Sequence, residues 1–385
     1  MRIGVNLSFW EPRSGGLGRY ARELLGAMVA AEPGVRITAF HGLELPDDVR
    51  ESPWATEIEW VELPITVTYG PPGSGIRSLA TQWGTIAWMA ERRRLHVIHG
   101  LANITPLLTA RVATVVTSPD LIWMRFGRSM SPRDTFAMKL SAIPSVKRAT
   151  RVIAISESVR TDLQATLGVD GSRIDVVPLG VSTGGAPAPA EEAALRERLG
   201  LGNRRVVLCV AQKREHKNLT GLVRALARLP ERDVALVIPG GTTEYEAEVR
   251  RIAEGVGFAD RLVLPDWVSE AELEALYRMS VAFALPSFEE GFGLPVLEAM
   301  ARDLPVACSN TTALPEVAGN AAELFDPRDP DDIARALGTL LRDPDRREEL
   351  VRRGHERVAL FTWQRTGRRT LDTYRRAVAD KRARA

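Results

Sequence analysis

The feature that most constrains this chain is an alternation of short apolar runs with amphipathic stretches, repeated almost from end to end. The runs read as strands near Ile3–Leu7, Val35–Phe40, Ile58–Leu63, His96–His99, Ala113–Val116, Val152–Ile155 and Ile174–Val177. Between them, helices are predicted near Leu17–Ala31, Ile76–Arg92, Pro132–Arg148 and Glu157–Leu167. The stretch Ser182–Ala190, built of small residues, Gly and Pro, reads as a linker. Alternation then restarts, with strands near Val206–Val210, Val234–Ile238, Leu262–Leu264, Val281–Ala284 and Pro305–Cys308. Helices are predicted near Leu219–Leu229, Thr243–Val256, Glu270–Met279, Pro295–Ala301, Pro330–Leu341 and Pro344–Ala359. A chain of this pattern is α/β, with parallel sheets covered by helices on both faces. Its 385 residues exceed one ordinary core and predict two doubly wound domains, 1–183 and 191–363. Ligands of such sheets bind beyond the carboxyl ends of the strands, so the two domains are expected to face a cleft.

Composition excludes several classes. A hydrophobic fraction of 45% and a charged fraction of 26% are those of a folded soluble protein. A net charge of +2 gives no global field for nucleic acid. The two cysteines, Cys209 and Cys308, sit in apolar runs and make no disulfide framework. No signal segment or membrane span is expected, so the reading is cytoplasmic, with peripheral membrane contact left open. The basic groups Arg92-Arg-Arg94, Lys147-Arg148, Arg375-Arg376 and Lys381-Arg-Ala-Arg384 read as solvated helix faces; an anionic surface or lipid-phosphate acceptor is the sharper alternative.

The block Pro286-Ser-Phe-Glu-Glu-Gly-Phe-Gly-Leu-Pro-Val-Leu-Glu-Ala-Met-Ala301 carries the strongest chemical signal. It follows an apolar strand, and its turn Gly291-Phe292-Gly293 opens a helix at Leu294 and Pro295. Backbone N–H groups at such a start face an anion. Glu290 precedes the turn and Glu298 lies further along the helix, so both can reach one ligand. Two carboxylates alone are better explained as surface residues of a capped helix. Ala211-Gln-Lys-Arg-Glu-His-Lys-Asn-Leu219 follows another strand and carries Lys213, Arg214, His216 and Lys217. Ser14-Gly15-Gly16-Leu-Gly-Arg19 follows the first strand, where glycines let a backbone approach a ligand.

These motifs together resemble the retaining glycosyltransferases of the GT-B fold, family 4, over nearly the whole chain. The family's signature is a Glu, seven residues and a second Glu, in a Pro-Ser…Glu-Gly-Phe-Gly context, which Glu290 and Glu298 match. The resemblance implies that Glu290 contacts the donor sugar and Glu298 holds the nucleotide ribose. It implies that Lys217 neutralises the donor diphosphate as a point charge. Lys213, Arg214 and His216 remain candidates for a second cation. It further implies backbone contact near Val268 and a phosphate-side loop at Gly15 and Gly16. The last helix, about 364–385, is expected to return to the first domain, as in this fold generally. Leu314-Pro-Glu-Val-Ala-Gly319 matches the family and reads chiefly as packing, and Ser156 reads as a helix cap.

One departure bears on chemistry. Where the family often has Thr-Val-His-Asp, this chain reads Val116-Thr-Ser-Pro-Asp-Leu121, so Pro119 stands in place of the His and Asp120 remains. His99, at the end of an earlier strand, is a substitute candidate, with a buried, satisfied histidine as the alternative. The catalytic set expected is Glu290, Lys217, Asp120 and His99. No Asp-x-Asp metal pair is found, so neither metal nor cofactor is expected. The expected reaction moves a hexose from GDP-mannose or a UDP-hexose to a glycan, lipid-linked or small-molecule acceptor, with retention. The competing readings are a catalytically weakened nucleotide-sugar-binding protein and a nucleotide-sugar epimerase of the same fold. A nucleotide-cofactor dehydrogenase is disfavoured, because the first loop lacks Gly-x-Gly-x-x-Gly and its following acid.

Overall fold

The computed structural model describes residues 1–8, 15–42, 45–63, 80–126, 132–182 and 189–384, without the side chains of 48, 132–134 and 189–191. It divides into two units, Met1–Gly180 with Thr362–Ala385, and Val181–Phe361.

The first unit is a seven-stranded sheet in the order β3-β2-β1-β4-β5-β6-β7. Its strands are β1 (Arg2–Leu7), β2 (Arg36–His41), β3 (Ile58–Glu62), β4 (Val97–Gly100), β5 (Ala113–Ser118), β6 (Arg151–Ala154) and β7 (Ile174–Val176). Every pairing is parallel. β5 is buried along its whole length, as expected where helices cover both faces. The helix Gly15–Ala31 lies against the returning helix Trp363–Ala383. Gly367 permits that approach, since a Cβ there would sit 2.9 Å from the Ala27 carbonyl carbon and oxygen. Arg151 ties the returning helix to the sheet, pairing with Asp175 and with Asp380, each at 2.7 Å.

The second unit is a six-stranded parallel sheet in the order β10-β9-β8-β11-β12-β13. The strands are β8 (Arg205–Leu208), β9 (Val234–Val237), β10 (Leu262–Val263), β11 (Ala282–Leu285), β12 (Val306–Ser309) and β13 (Ala322–Phe325). Val207, Leu236, Leu222, Leu226, Phe258 and Leu337 share one core. Strand order reverses between β8 and β11, and the loops leaving the carboxyl ends of those two neighbours open a crevice. Both sheets bear out the doubly wound α/β reading.

Three local expectations differ. β13 escapes the sequence because Ala-Glu-Leu-Phe is short and half of it is poor strand former. Its glutamate holds Arg346 at 2.6 Å. The expected linker lies at 183–188 outside the described residues, while Pro189 and Ala190 already belong to the helix Pro189–Arg198. Proline is tolerated in a first turn, so it marks a start there and not a break. Of the helix expected from Ile76, residues 76–79 lie outside the described residues. The remainder enters through a π-helical turn, Thr81–Thr85, before Ile86–Arg92.

Candidate functional site

The crevice of the second unit forms because β8 pairs directly with β11, Val207 facing Ala282 and Leu208 facing Phe283. After β8 the chain makes one 3-10 turn, Glu215–Lys217, closed by Lys217 N–H donating to the Arg214 carbonyl at 2.9 Å. Asn218 follows in the left-handed region at φ 52° and anchors its Nδ2 on the Pro327 carbonyl at 2.7 Å. This tight turn sends the basic residues in different directions.

Lys217 points across the crevice, and its Nζ donates to Glu290 Oε1 at 2.6 Å. The Ser287 hydroxyl donates to the same oxygen at 2.7 Å, and Glu290 N–H donates to Thr312 Oγ1 at 3.0 Å. One carboxylate oxygen is thus fixed by two donors, while Oε2 meets no hydrogen-bond partner among the described residues. An ammonium has three N–H donors, so Lys217 keeps two for another anion. Arg214, half-buried at the start of the same turn, donates Nε to Gln212 Oε1 at 3.0 Å and keeps its other guanidinium donors. The two loops are joined by Phe288 N–H donating to the His216 carbonyl at 2.8 Å.

Two of the expected cations are corrected. Lys213 is fully buried. Its ammonium is held by the Gly240 carbonyl, by the Pro265 carbonyl at 3.0 Å and by Glu246 at 3.4 Å. It ties the loops after β8, β9 and β10 together and has no charge to spare. Burial pulls its pKa below the usual lysine value, with Glu246 opposing. His216 is buried as well, and burial with the nearby Lys217 charge pushes its imidazole down to about 4. It is neutral at pH 7 and joins loops through its backbone.

Gly293 adopts φ 96°, and a Cβ there would lie 2.4 Å from Leu314 Cδ2. Only glycine fits this turn. The helix Leu294–Met300 starts directly after it, with Leu294 half-buried. Gly291 is buried, and Phe292 turns into the core, its ring edge-on to Phe361 at 5.7 Å. That is a packing position for the phenyl ring. Glu298 is nearly buried and accepts from the Tyr277 hydroxyl at 2.8 Å. Val268 is half-buried in the loop after β10, directly before Ser269, which caps Glu270–Met279 with a reciprocal Glu272 contact. Leu314–Ala318 is a short helix whose first residue packs on the Gly293 turn. Ser287, Thr312, Asn218 and Tyr277 were not assigned from the sequence. Ser287 stands three residues before Glu290, whereas Tyr277 sits on another helix and leaves no local signal.

In the first unit, Gly15 begins the helix Gly15–Ala31 at φ 55°, and Gly16 faces open space. Ser14 of that motif lies outside the described residues. Asp120 follows β5 and accepts from Ile122 N–H at 3.0 Å, a local turn closure. Ser156 caps Glu157–Leu167 by accepting from Val159 N–H at 3.1 Å. His99 stands one residue before the end of β4. It is fully buried, with Nδ1 against the Tyr374 hydroxyl at 2.7 Å and Nε2 against Thr117 Oγ1 at 2.8 Å. Thr117 in turn meets the Tyr20 hydroxyl at 3.0 Å. Burial pushes the imidazole down to about 3. The expectation of a catalytic His99 is therefore corrected to a satisfied core histidine beneath the returning helix.

Among the described residues, no three His, Cys, Asp or Glu gather as metal ligands, and no helix is long and apolar enough to cross a membrane. Residues 191–357 match the family model of glycosyl transferases group 1, and residues 14–184 match that of glycosyltransferase family 4. The MMP alpha-(1->4)-mannosyltransferase of Mycolicibacterium hassiacum is 30% identical over 98% of this chain and 99% of its own. The O-antigen chain mannosyltransferase B of Escherichia coli is 27% identical over 94% and 96%. Among solved structures, Anabaena Alr3699/HepE in complex with UDP-glucose superposes with a TM-score of 0.73 at 18% identity, covering 97% of this chain and 99% of that one.

Proposed function

The chain belongs to glycosyltransferase family 4, a glycosyltransferase of the GT-B fold, and from that premise we propose that it transfers a hexose from a nucleotide-diphosphate sugar with retention and without a metal ion. GDP-mannose and UDP-hexoses are the proposed donors, the first favoured by the mannosyltransferase names of two relatives. The acceptor is proposed to be a glycan, a lipid-linked sugar or a small molecule.

The observation that carries this reading is the Lys217–Glu290 pair in the crevice between β8 and β11. Lys217 holds Glu290 with one N–H and offers the others to a diphosphate. Arg214 adds a second charge beside it. Glu290 offers Oε2 to a sugar hydroxyl while Ser287 and Lys217 fix its orientation. Glu298, set by Tyr277, is assigned to the ribose hydroxyls. In the reaction the anomeric carbon–oxygen bond breaks and negative charge develops on the departing diphosphate. Lys217, Arg214 and the N–H groups following Gly293 stabilise that charge. The acceptor hydroxyl attacks from the face the diphosphate leaves, and its proton passes to a departing phosphate oxygen. No side chain is required as nucleophile. Asp120 stays a proposed acceptor-side residue.

The test is a donor screen with EDTA present, reading free nucleotide diphosphate by mass spectrometry for UDP-, GDP-, ADP- and dTDP-sugars. Release from one donor, lost in Glu290→Ala and in Lys217→Ala, is expected. Release that needs added divalent metal would overturn the metal-free part. Conversion of the donor sugar with no diphosphate released would favour an epimerase instead.

A further inference from the structure

Two of the basic groups in the sequence meet at one place that the proposed reaction does not use. The helix Pro132–Arg148 and the returning helix Trp363–Ala383 both end at the amino-terminal edge of the first unit's sheet. A pocket of about 200 Å3 opens between them, lined by Thr109, Thr114, Arg148, Thr150, Lys381 and Arg384 among others. It lies at the opposite edge of the sheet from the Gly15 loop and Asp120.

The helix ends explain part of this charge, because carbonyl termini favour cations in the last turn. They do not explain the rest. Among the described residues, Arg148, Lys381 and Arg384 have no carboxylate partner. Lys381 donates to the Thr109 carbonyl at 3.3 Å. Of the acids nearby, Asp175 and Asp380 are both committed to Arg151, Asp175 to Arg376 as well, and Asp170 offsets part of the Arg173 charge. Arg173 adds further positive charge. Its guanidinium is drawn onto the Lys147 and Ala149 carbonyls, and burial and then the Arg384 charge lower its pKa.

The pocket wall also holds an unspent donor. Thr114 N–H donates to Thr150 Oγ1 at 3.1 Å, and Thr150 N–H donates to Thr114 Oγ1 at 3.0 Å. Both residues are buried. Each hydroxyl is thus used as an acceptor, and the two oxygens lie 3.4 Å apart. That contact can consume one hydroxyl hydrogen at most. At least one buried O–H therefore has no acceptor among the described residues, in a pocket ringed by cations.

We propose that this pocket binds a phosphate group, as a phosphate monoester or diphosphate, at a site separate from the nucleotide-sugar crevice. Lys381, Arg384 and Arg148 would supply charge-assisted hydrogen bonds, and the threonine pair a neutral one. The proposal does not depend on the reaction assigned above.

The experiment is calorimetric titration of the full chain with inorganic pyrophosphate at low salt. Two binding events are expected. One weakens at least ten-fold in the double variant Lys381→Ala/Arg384→Ala and, from a different helix, in Arg148→Ala, and both variants keep wild-type diphosphate release from the donor. The other event is the one removed by Lys217→Ala. If the Lys217-dependent event is absent but the first remains, the reaction assignment fails and this site stands. If both pocket variants bind as the wild type does, the proposal is overturned. Sedimentation with phosphatidylcholine vesicles, with or without phosphatidic acid, identifies the source. Binding that requires phosphatidic acid and is lost in the variants points to a lipid headgroup. Pyrophosphate binding with no sedimentation points to a soluble phosphate ester.

Discussion

Lys213 and Lys217 stand one turn apart in the chain and do different work. Replacing Lys213 by alanine leaves Glu246 and two carbonyls without their shared donor in a buried place. Glu246 keeps Arg250 at 2.6 Å, so the cost is that of the two buried carbonyls left unpaired, about 2 kcal/mol. Urea denaturation of Lys213→Ala should show that loss as a lower midpoint. Lys217→Ala should retain most of its stability and lose donor turnover at least 100-fold, read as diphosphate release. If the two variants exchanged these phenotypes, the assignment of the diphosphate cation would be wrong. Tyr277→Phe tests the neighbouring carboxylate. It removes one hydrogen bond to Glu298, worth about 1 kcal/mol. If Glu298 holds the ribose as proposed, the donor KM should rise about five-fold with kcat little changed, because the ribose does not react. The resemblance singled out Lys217 among the four basic residues of this loop but left Lys213, Arg214 and His216 unranked. The ranking comes from the 3-10 turn and the left-handed Asn218, which aim each side chain separately. His99 shows the converse. Its strand was legible, but whether its ring met solvent or core depended on Tyr374, 275 positions away in the chain.

At the scale of elements, the proposed donor site rests on a loop-to-helix transition held open by one missing side chain. Gly293→Ala meets two penalties, a left-handed φ and a collision with Leu314. The expected cost is about 2–4 kcal/mol together, with a higher donor KM because the start of Leu294–Met300 shifts. Adding Leu314→Ala to Gly293→Ala should recover the steric part and leave the conformational part. A thermal-denaturation cycle over the four proteins measures that coupling. A fully additive cycle would mean the Leu314 contact is not the source of the strain. Elements of this sort were readable where periodicity was long and capped, as at Glu157–Leu167 and Glu270–Met279. They were not readable where four residues of mixed propensity form an edge strand, as at β13, or where the start of a helix continues a run of small residues and proline that reads as a linker, as at Pro189–Arg198.

For the whole molecule, buried neutral histidines set a direction for acid sensitivity. His99 is pushed down to about 3 and His216 to about 4 by burial. An unfolded chain binds protons at these rings near pH 6.5. Below that value the unfolded state gains protons that the folded state refuses, so stability falls as pH drops through 6.5 toward 4 and 3. Each ring contributes a limiting slope of about 1.4 kcal/mol per pH unit. Urea midpoints measured from pH 7.5 to 5, above most carboxylate titration, should decline. His99→Asn should lower the midpoint at pH 7.5 and make the decline shallower. A flat wild-type profile across that window would contradict the burial of both rings.

The returning helix has a consequence for how the polypeptide is made. The first unit joins Met1–Gly180 to Thr362–Ala385, and the entire second unit is encoded between those pieces. On the ribosome, the seven-stranded sheet emerges early yet waits with the Tyr374 side of His99 and the Ala27 side of its first helix uncovered. The contiguous second unit has all its parts first and can complete its core while the earlier one is unfinished. A chain truncated before Trp363 and released would therefore show protease protection over Val181–Phe361 and susceptibility upstream of it, the reverse of an order in which the amino-terminal domain matures first.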